Sequence, residues 1–306
     1  MSELNMNKPS FKKVGKDEKH AEKILRPSTT FMQDAWYRFK KNKLGLFGAI
    51  IIIFMILFAV FGPYLCKYDY ITQNLKEAYL SPNAEHIFGT DNLGRDVLVR
   101  MCYGARISLA CGFVASIISV VIGVTYGAIS GFIGGTVDNI MMRIVDIISA
   151  IPSMLYVILL MVVLGNSLTN VFLVIGLTGW LGMARLVRGQ VMSLKEREYV
   201  LAARVSNVSN FKIILKHLVP NTFGTIIVQM TLAIPSAIFL EASLQFLGLG
   251  ITAPMPSWGG LAQEGIQAMR TFPHLMWIPA IFISVTILAF NFLGDALRDA
   301  LDPKLG

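Results

Sequence analysis

Residues 44–65 and 107–131 contain no Asp, Glu, Lys or Arg, and no other feature restricts the fold so strongly. Crossing a hydrocarbon core of about 30 Å at about 1.5 Å per residue takes about 20 apolar residues, so each run is long enough to span a bilayer with some tilt. Residues 147–184 are uncharged as well but too long for one crossing, and Gly165, Asn166 and Ser167 supply a turn that divides them into a third and a fourth span. Residues 222–240 and 271–294 complete the set, the last trimmed at its start by Pro273 and His274. The expected fold is an all-α integral membrane protein with six transmembrane helices.

Composition agrees, with 54% hydrophobic and 15% charged residues. The net charge of +8 does not point to nucleic acid, because the bases cluster beside apolar spans and not along a soluble face. Mostly polar residues precede the first span and no small-residue cleavage site follows it, so that span is expected to be an anchor and not a cleaved signal. With six spans both termini share a side. Lys8 through Lys43 in the tail, and Arg185, Arg188, Lys195, Arg197, Arg204, Lys212 and Lys216 after the fourth span, place that side in the cytoplasm.

The chain divides into a polar tail (1–30) expected to be disordered, an amphipathic helix with the first span (31–66), an extracytoplasmic loop (67–106), and a five-helix core (107–300) with a cytoplasmic segment at 185–220. Gly131 to Gly135 reads as a tight cytoplasmic turn, and Gly123, Gly127 and Gly131 as a helix-packing stripe.

Sites of chemistry are few. No phosphate-cradling GxxxxGK[ST] loop, HExxH, GxSxG or paired carboxylates occur, so the chain is not expected to be an enzyme or to hydrolyse ATP itself. Cys66, Cys102 and Cys111 have no CxxC spacing, and the four histidines are far apart, which leaves no metal-ligand pattern. Cys66 and Cys102 flank the outer loop; free thiols and a disulfide both remain open. Arg143 and Asp146, three apart, are expected to neutralise each other. Glu241, at the outer end of the fifth span, either lines a solute path or is a helix-end carboxylate in water.

The segment 185–220 is too polar to insert. Residues 188–203 read as helix, Asn207 and Ser209 interrupt it, and a second amphipathic helix follows with Phe211, Ile214, Leu215 and Leu218 on one face, closed by Pro220. A helix, a break and a returning helix make a compact projection able to enter a partner's groove and carry rigid-body motion to the spans.

The stretch EYVLAARVSNVSNFKIILKHLVPN (198–221) resembles the EAA coupling loop of binding-protein-dependent ABC importer permeases, in which Glu-Ala-Ala is followed, after three intervening residues, by Gly. Ala202 and Ala203 match; Leu201 stands where the Glu lies and Asn207 where the Gly does. Asn tolerates the left-handed conformation, so the turn is expected to survive, with shape and not charge carrying the coupling. FGTDNLGRDVLVRMCYGARISL (88–109), FLGLGITAPMPSWGGLAQEG (246–265) and NFLGDALRDALDPKL (291–305) are similar to stretches of the C-type permeases of dipeptide and oligopeptide importers.

That resemblance implies a type I ABC importer permease fold in a bacterial cell membrane. It implies a second, B-type permease, two ATP-binding subunits and an extracytoplasmic solute-binding protein as partners. ATP and Mg would bind those ATPases, with no cofactor on this chain. The implied ATPase-coupling residues are Leu201, Ala202, Ala203, Arg204, Val205, Asn207 and Ser209. The implied cargo is peptide, with nickel or another small solute as the alternative. A stand-alone secondary transporter would show inverted repeats or midplane ion-coupling carboxylates, which are absent from the sequence, and a membrane enzyme would need a nucleophile, base and metal set at matching depths.

Overall fold

The computed structural model describes residues 30–301, so the tail expected to be disordered lies almost wholly outside the described residues. Thr30 starts α1 (Phe31–Lys41) with a capping box: its hydroxyl accepts from the Gln33 N–H and the Gln33 side chain accepts from the Thr30 N–H. Ala35 is buried on this amphipathic helix, and Trp36 and Tyr37 are exposed. Asn42 ends α1 and caps α2 (Lys43–Leu65) by accepting from the Gly45 N–H at 3.0 Å.

Near its outer end α2 contains Pro63, which cannot donate to the Ala59 carbonyl one turn earlier. Arg106 of α3 (Val97–Ile133) supplies the missing donor: Nε reaches the Ala59 oxygen at 2.6 Å and Nη2 the Val60 oxygen at 2.8 Å. The helix α3 begins earlier than the expected loop 67–106 allowed. Asp96 explains this by accepting from the Val99 N–H at 2.9 Å, an N-cap that polarity alone does not reveal.

The glycine stripe packs α3 on α6 (Leu168–Leu194), as its spacing suggested. A Cβ on Gly131 would lie 2.7 Å from the Arg188 carbonyl oxygen, one on Gly123 2.5 Å from the Met183 Cβ, and one on Gly127 would collide with the Ala184 carbonyl. Gly134 and Gly135, both at positive φ, make the tight turn into α4 (Gly135–Ala150).

The expected third span is not one helix. It is α4 followed by α5 (Ser153–Leu164), bent by 85°. Pro152 is the cause, since the residue before a proline is driven out of the helical region, and Ile151 is extended at φ −84°, ψ 128°. Five described helices are long and apolar enough to cross a membrane, and the bent pair brings the number up to six. The fourth span runs on to Leu194, so residues expected as a separate linker helix extend α6.

Among the described residues there is no strand beyond an isolated bridge between Thr90 and Asp96. On the outer side a short helix, α10 (Trp258–Gln267), is clasped between α3, α9 (Val219–Phe246) and α11 (His274–Leu301). Trp258 is fully buried and donates from Nε1 to the Met101 carbonyl at 3.1 Å.

Replacing Gly127 with Val is expected to force α3 from α6 and to destabilise by about 1–3 kcal/mol or more. Gly182→Ala, where nothing lies within 4 Å of the new Cβ, is expected to be neutral. Thermal unfolding in detergent compares the two, and equal midpoints would refute the packing role of the stripe.

Candidate functional site

Within the segment 185–220, α7 (Glu198–Val205) ends in a tightly bonded turn. The Asn207 N–H donates to the Arg204 carbonyl at 3.0 Å, and the Val208 N–H reaches back to the Ala203 carbonyl at 3.1 Å. Asn207 sits between them at φ +58°. This is the Schellman pattern of helix ends, in which the residue past the cap adopts the left-handed conformation. Asn tolerates that conformation because its short polar side chain bonds locally. The substitution of Asn for Gly therefore leaves the turn intact.

Beyond Ser209 the chain does not close at Pro220. A helical turn, α8 (Asn210–Ile213), passes into a π turn over Ile214–Leu218 and on into α9, one continuous run from Asn210 to Phe246. In an α-helix the Pro220 ring would clash with the carbonyl four residues before it. The π turn bonds one residue further on, with the Val219 N–H donating to the Ile214 carbonyl, and this wider turn lets the helix pass the proline. It also shifts the register. Ile213 and Leu218 are buried, whereas Phe211 and Leu215, expected on the same apolar face as Leu218, are exposed.

The sequence-predicted coupling residues fall in two groups. Ala203 is buried with Val200, Ile213, Leu218, Phe132, Val187 and Val191 in one apolar cluster that joins the turn to α3 and α6. Arg204 lies over the Phe132 ring at 5.2 Å, a cation–π contact with the end of α3. Leu201, Ala202, Val205, Asn207 and Ser209 face outward. Val205 is 88% exposed and Phe211 71%. Leu201 and Leu215 are exposed as well; the exposure of Phe211 and Leu215 was not legible from the helical wheel, because the π turn has no sequence signature of its own.

Beside the turn, Arg188 clamps α6 to α4 by donating from Nε and Nη2 to the two Asp138 carboxylate oxygens, each at 2.6 Å. The Ser130 hydroxyl adds a third bond to Asp138 at 2.5 Å, and Lys195 donates to the Gly131 carbonyl at 3.0 Å. Asp146 pairs with Arg185 of α6 at 3.1 Å, not with Arg143 as its spacing suggested. The facing helix offers the carboxylate a partner that intrahelical spacing cannot reveal.

Between α3, α5, α6, α9 and α11 lies a cavity of about 730 Å³. Ser116, Ser119, Ser153, Thr178, Gln229, Ser236 and Asn291 give it hydrogen-bonding groups, and no ionisable side chain lines it. Nine of its lining residues belong to α9, from Gln229 to Ser243, so the rod that carries the turn also walls the cavity.

Glu241 is not among the lining residues. It is fully buried, which corrects the expectation of a helix-end carboxylate meeting water. Its Oε2 accepts from the Ser108 hydroxyl at 3.2 Å, and the same Ser108 oxygen accepts from the Trp258 N–H at 3.2 Å. Glu241 thus helps knit α3, α9 and α10 together. On the outer side Asp91 accepts from Arg95 Nε at 2.7 Å and Arg100 Nη1 at 2.5 Å, and Arg100 also donates to Glu264 of α10 at 2.6 and 3.0 Å. The stretches 88–109 and 246–265 are therefore tied together on the outer side.

A cavity lined by hydroxyl, amide and apolar groups, set among helices long and apolar enough to cross a membrane, belongs to the class of multi-pass membrane proteins. The comparisons narrow that class: the chain belongs to the family described as binding-protein-dependent transport system inner membrane component, which matches residues 123–306. Residues 30–82 match the N-terminal membrane domain of oligopeptide transport permease C. The chain is 49% identical over 301 residues to the oligopeptide transport system permease protein OppC of Bacillus subtilis, covering 98% of this chain and 99% of that one. It is 51% identical over 288 residues to the dipeptide transport system permease protein DppC of the same organism, covering 94% and 90%. To OppC of Escherichia coli K12 it is 44% identical over 289 residues, covering 94% and 96%. Its fold is similar to a chain of the MetNI methionine ABC transporter solved in inward facing conformations, with a TM-score of 0.50 at 18% identity over 64% of this chain and 94% of that one. The chain is a permease subunit of an ABC importer, a multi-pass component of a bacterial plasma membrane and not an enzyme.

If Asn207 is present for its left-handed backbone, Asn207→Gly will unfold within a few tenths of a kcal/mol of the parent. Asn207→Val will lose roughly 1–2 kcal/mol. Melting of the purified variants in detergent checks both, and a Val variant as stable as the parent would refute the turn's geometry as the reason for Asn.

Proposed function

We propose that this chain forms half of the translocation path of an ATP-driven peptide importer, and that closure of a partner ATPase reaches the path through the 198–209 turn. The observation that carries this reading is continuity: the turn leads without a break from Asn210 through the π turn into α9, whose residues from Gln229 to Ser243 wall the cavity. A displacement at the turn is then a displacement of the cavity wall. The exposed apolar side chains of Leu201, Val205, Phe211 and Leu215 suit a groove on an ATPase subunit. Leu201 replaces the family's Glu, so the contact relies on fit.

Peptide is the cargo that the names of the curated relatives suggest. The uncharged lining supports it, because hydroxyl and amide groups bond to peptide backbones of any sequence, whereas a fixed charge would exclude like-charged side chains. A second, B-type permease would supply the other half of the path, two ATP-binding subunits would hold ATP and Mg, and a solute-binding protein would dock where 88–109 and 246–265 meet.

Uptake of labelled di- to pentapeptides in cells lacking the chain, with wild type or Val205→Asp restored, tests both parts. Wild type is expected to restore peptide uptake and leave nickel uptake unchanged. The Asp variant, which places an unpaired carboxylate in an apolar seat, is expected to reach the membrane in normal amount yet lose uptake about tenfold or more. Nickel uptake without peptide uptake would refute the cargo, and full activity of Val205→Asp would refute the coupling seat.

A further inference from the structure

At the outer ends of α2 and α3 two cysteines distant in sequence are brought near each other. Cys66 caps α2 and is half-buried; Cys102 lies buried in the early turns of α3. Both are free thiols in this structure, and each lies within electrostatic reach of the other. Two independent features hold them there. Gly62, one turn before Cys66, leaves room for the approach, since a Cβ at that position would lie 2.5 Å from the Cys102 Sγ. Arg106, one turn after Cys102, binds the Ala59 and Val60 carbonyls that Pro63 leaves exposed, and its guanidinium stacks over Tyr64 at 5.5 Å and Tyr103 at 5.0 Å. The face Ala59, Gly62, Cys66 of α2 is thereby fastened to the face Cys102, Arg106 of α3. The Lys/Arg bias puts this end outside the cytoplasm, where disulfides form and persist.

We propose that Cys66 and Cys102 form an intrachain disulfide in the mature protein, a covalent staple between the first two membrane-spanning helices. Formation proceeds by exchange with the disulfide of an extracytoplasmic thiol–disulfide oxidoreductase. The Cys66 thiolate attacks one sulfur of that disulfide, giving a mixed disulfide and releasing one oxidoreductase thiolate. The Cys102 thiolate then attacks the Cys66 sulfur, and the oxidoreductase leaves as a dithiol carrying the two electrons, while the two cysteine protons pass to its thiolates. Burial pushes the Cys66 thiol above its ordinary value, so its thiolate is scarce at neutral pH and uncatalysed oxidation is slow.

Cells expressing the full chain with its partners are quenched in acid, and the denatured protein is alkylated with light N-ethylmaleimide, reduced, and alkylated again with the heavy reagent. Mass spectrometry should find the light label on Cys111 and the heavy label on Cys66 and Cys102, with the two latter linked in one peptide pair before reduction. In Cys66→Ser the label on Cys102 should change from heavy to light. Light label on both Cys66 and Cys102 of the wild type would overturn the proposal, and so would a crosslink from either one to another chain.

Discussion

Pro220 stands where a membrane helix meets its cytoplasmic projection, and the way the backbone passes it determines how the rest of the molecule is connected. An α-helix carried through this proline would clash with the carbonyl one turn earlier. A helix that stopped there would leave the projection hinged to the membrane by a flexible joint. The π turn Ile214–Leu218 avoids both outcomes, and the projection and α9 become one rod of 37 residues. Ala203 and Arg204 fasten the free side of the turn to the cytoplasmic ends of α3 and α6, and α6 also contributes to the cavity through Ile175, Thr178 and Gly179. The turn is therefore held on both sides by helices that line the cavity.

Charge is distributed to match. Ion pairs occupy the two ends of the bundle: Asp138 with Arg188 at one, and Asp91, Arg95, Arg100 and Glu264 at the other. Between them the cavity is lined by hydroxyl, amide and apolar groups alone. Buried charges left without partners would be costly, whereas paired and hydrogen-bonded ones fix register between elements. The ends can thus be held stiffly while the cavity between them stays free of fixed charge.

Much of this was legible in the sequence. Uncharged run lengths located the spans, the glycine stripe foretold close helix packing without naming its partner α6, and Asn207 in place of Gly foretold a left-handed residue that the backbone indeed has. What escaped depends on partners brought together by folding. Pro152 sits inside an uncharged run, so hydropathy passed over the 85° bend that it causes. Asp146 finds Arg185 across a helix interface, and Glu241 finds Ser108 inside the bundle and not water or the cavity. The π turn exposes Phe211 and Leu215 through a register change that no residue type announces.

The rigidity of the rod is the claim on which the rest depends, and it is open to direct measurement. Spin labels at Ser206 in the turn and Phe246 at the outer end of α9 bracket the 37-residue run, about 55 Å at the rise of a helix. Pulsed electron–electron resonance on the assembled transporter would compare that distance with and without trapped ATP. A rigid rod predicts a single narrow distribution that is the same in both states, even as distances from Ser206 to the partner permease change. A distribution that broadens or shifts on trapping ATP would mean that the chain bends between the turn and the outer end of α9, and the proposed transmission to the cavity wall would fail.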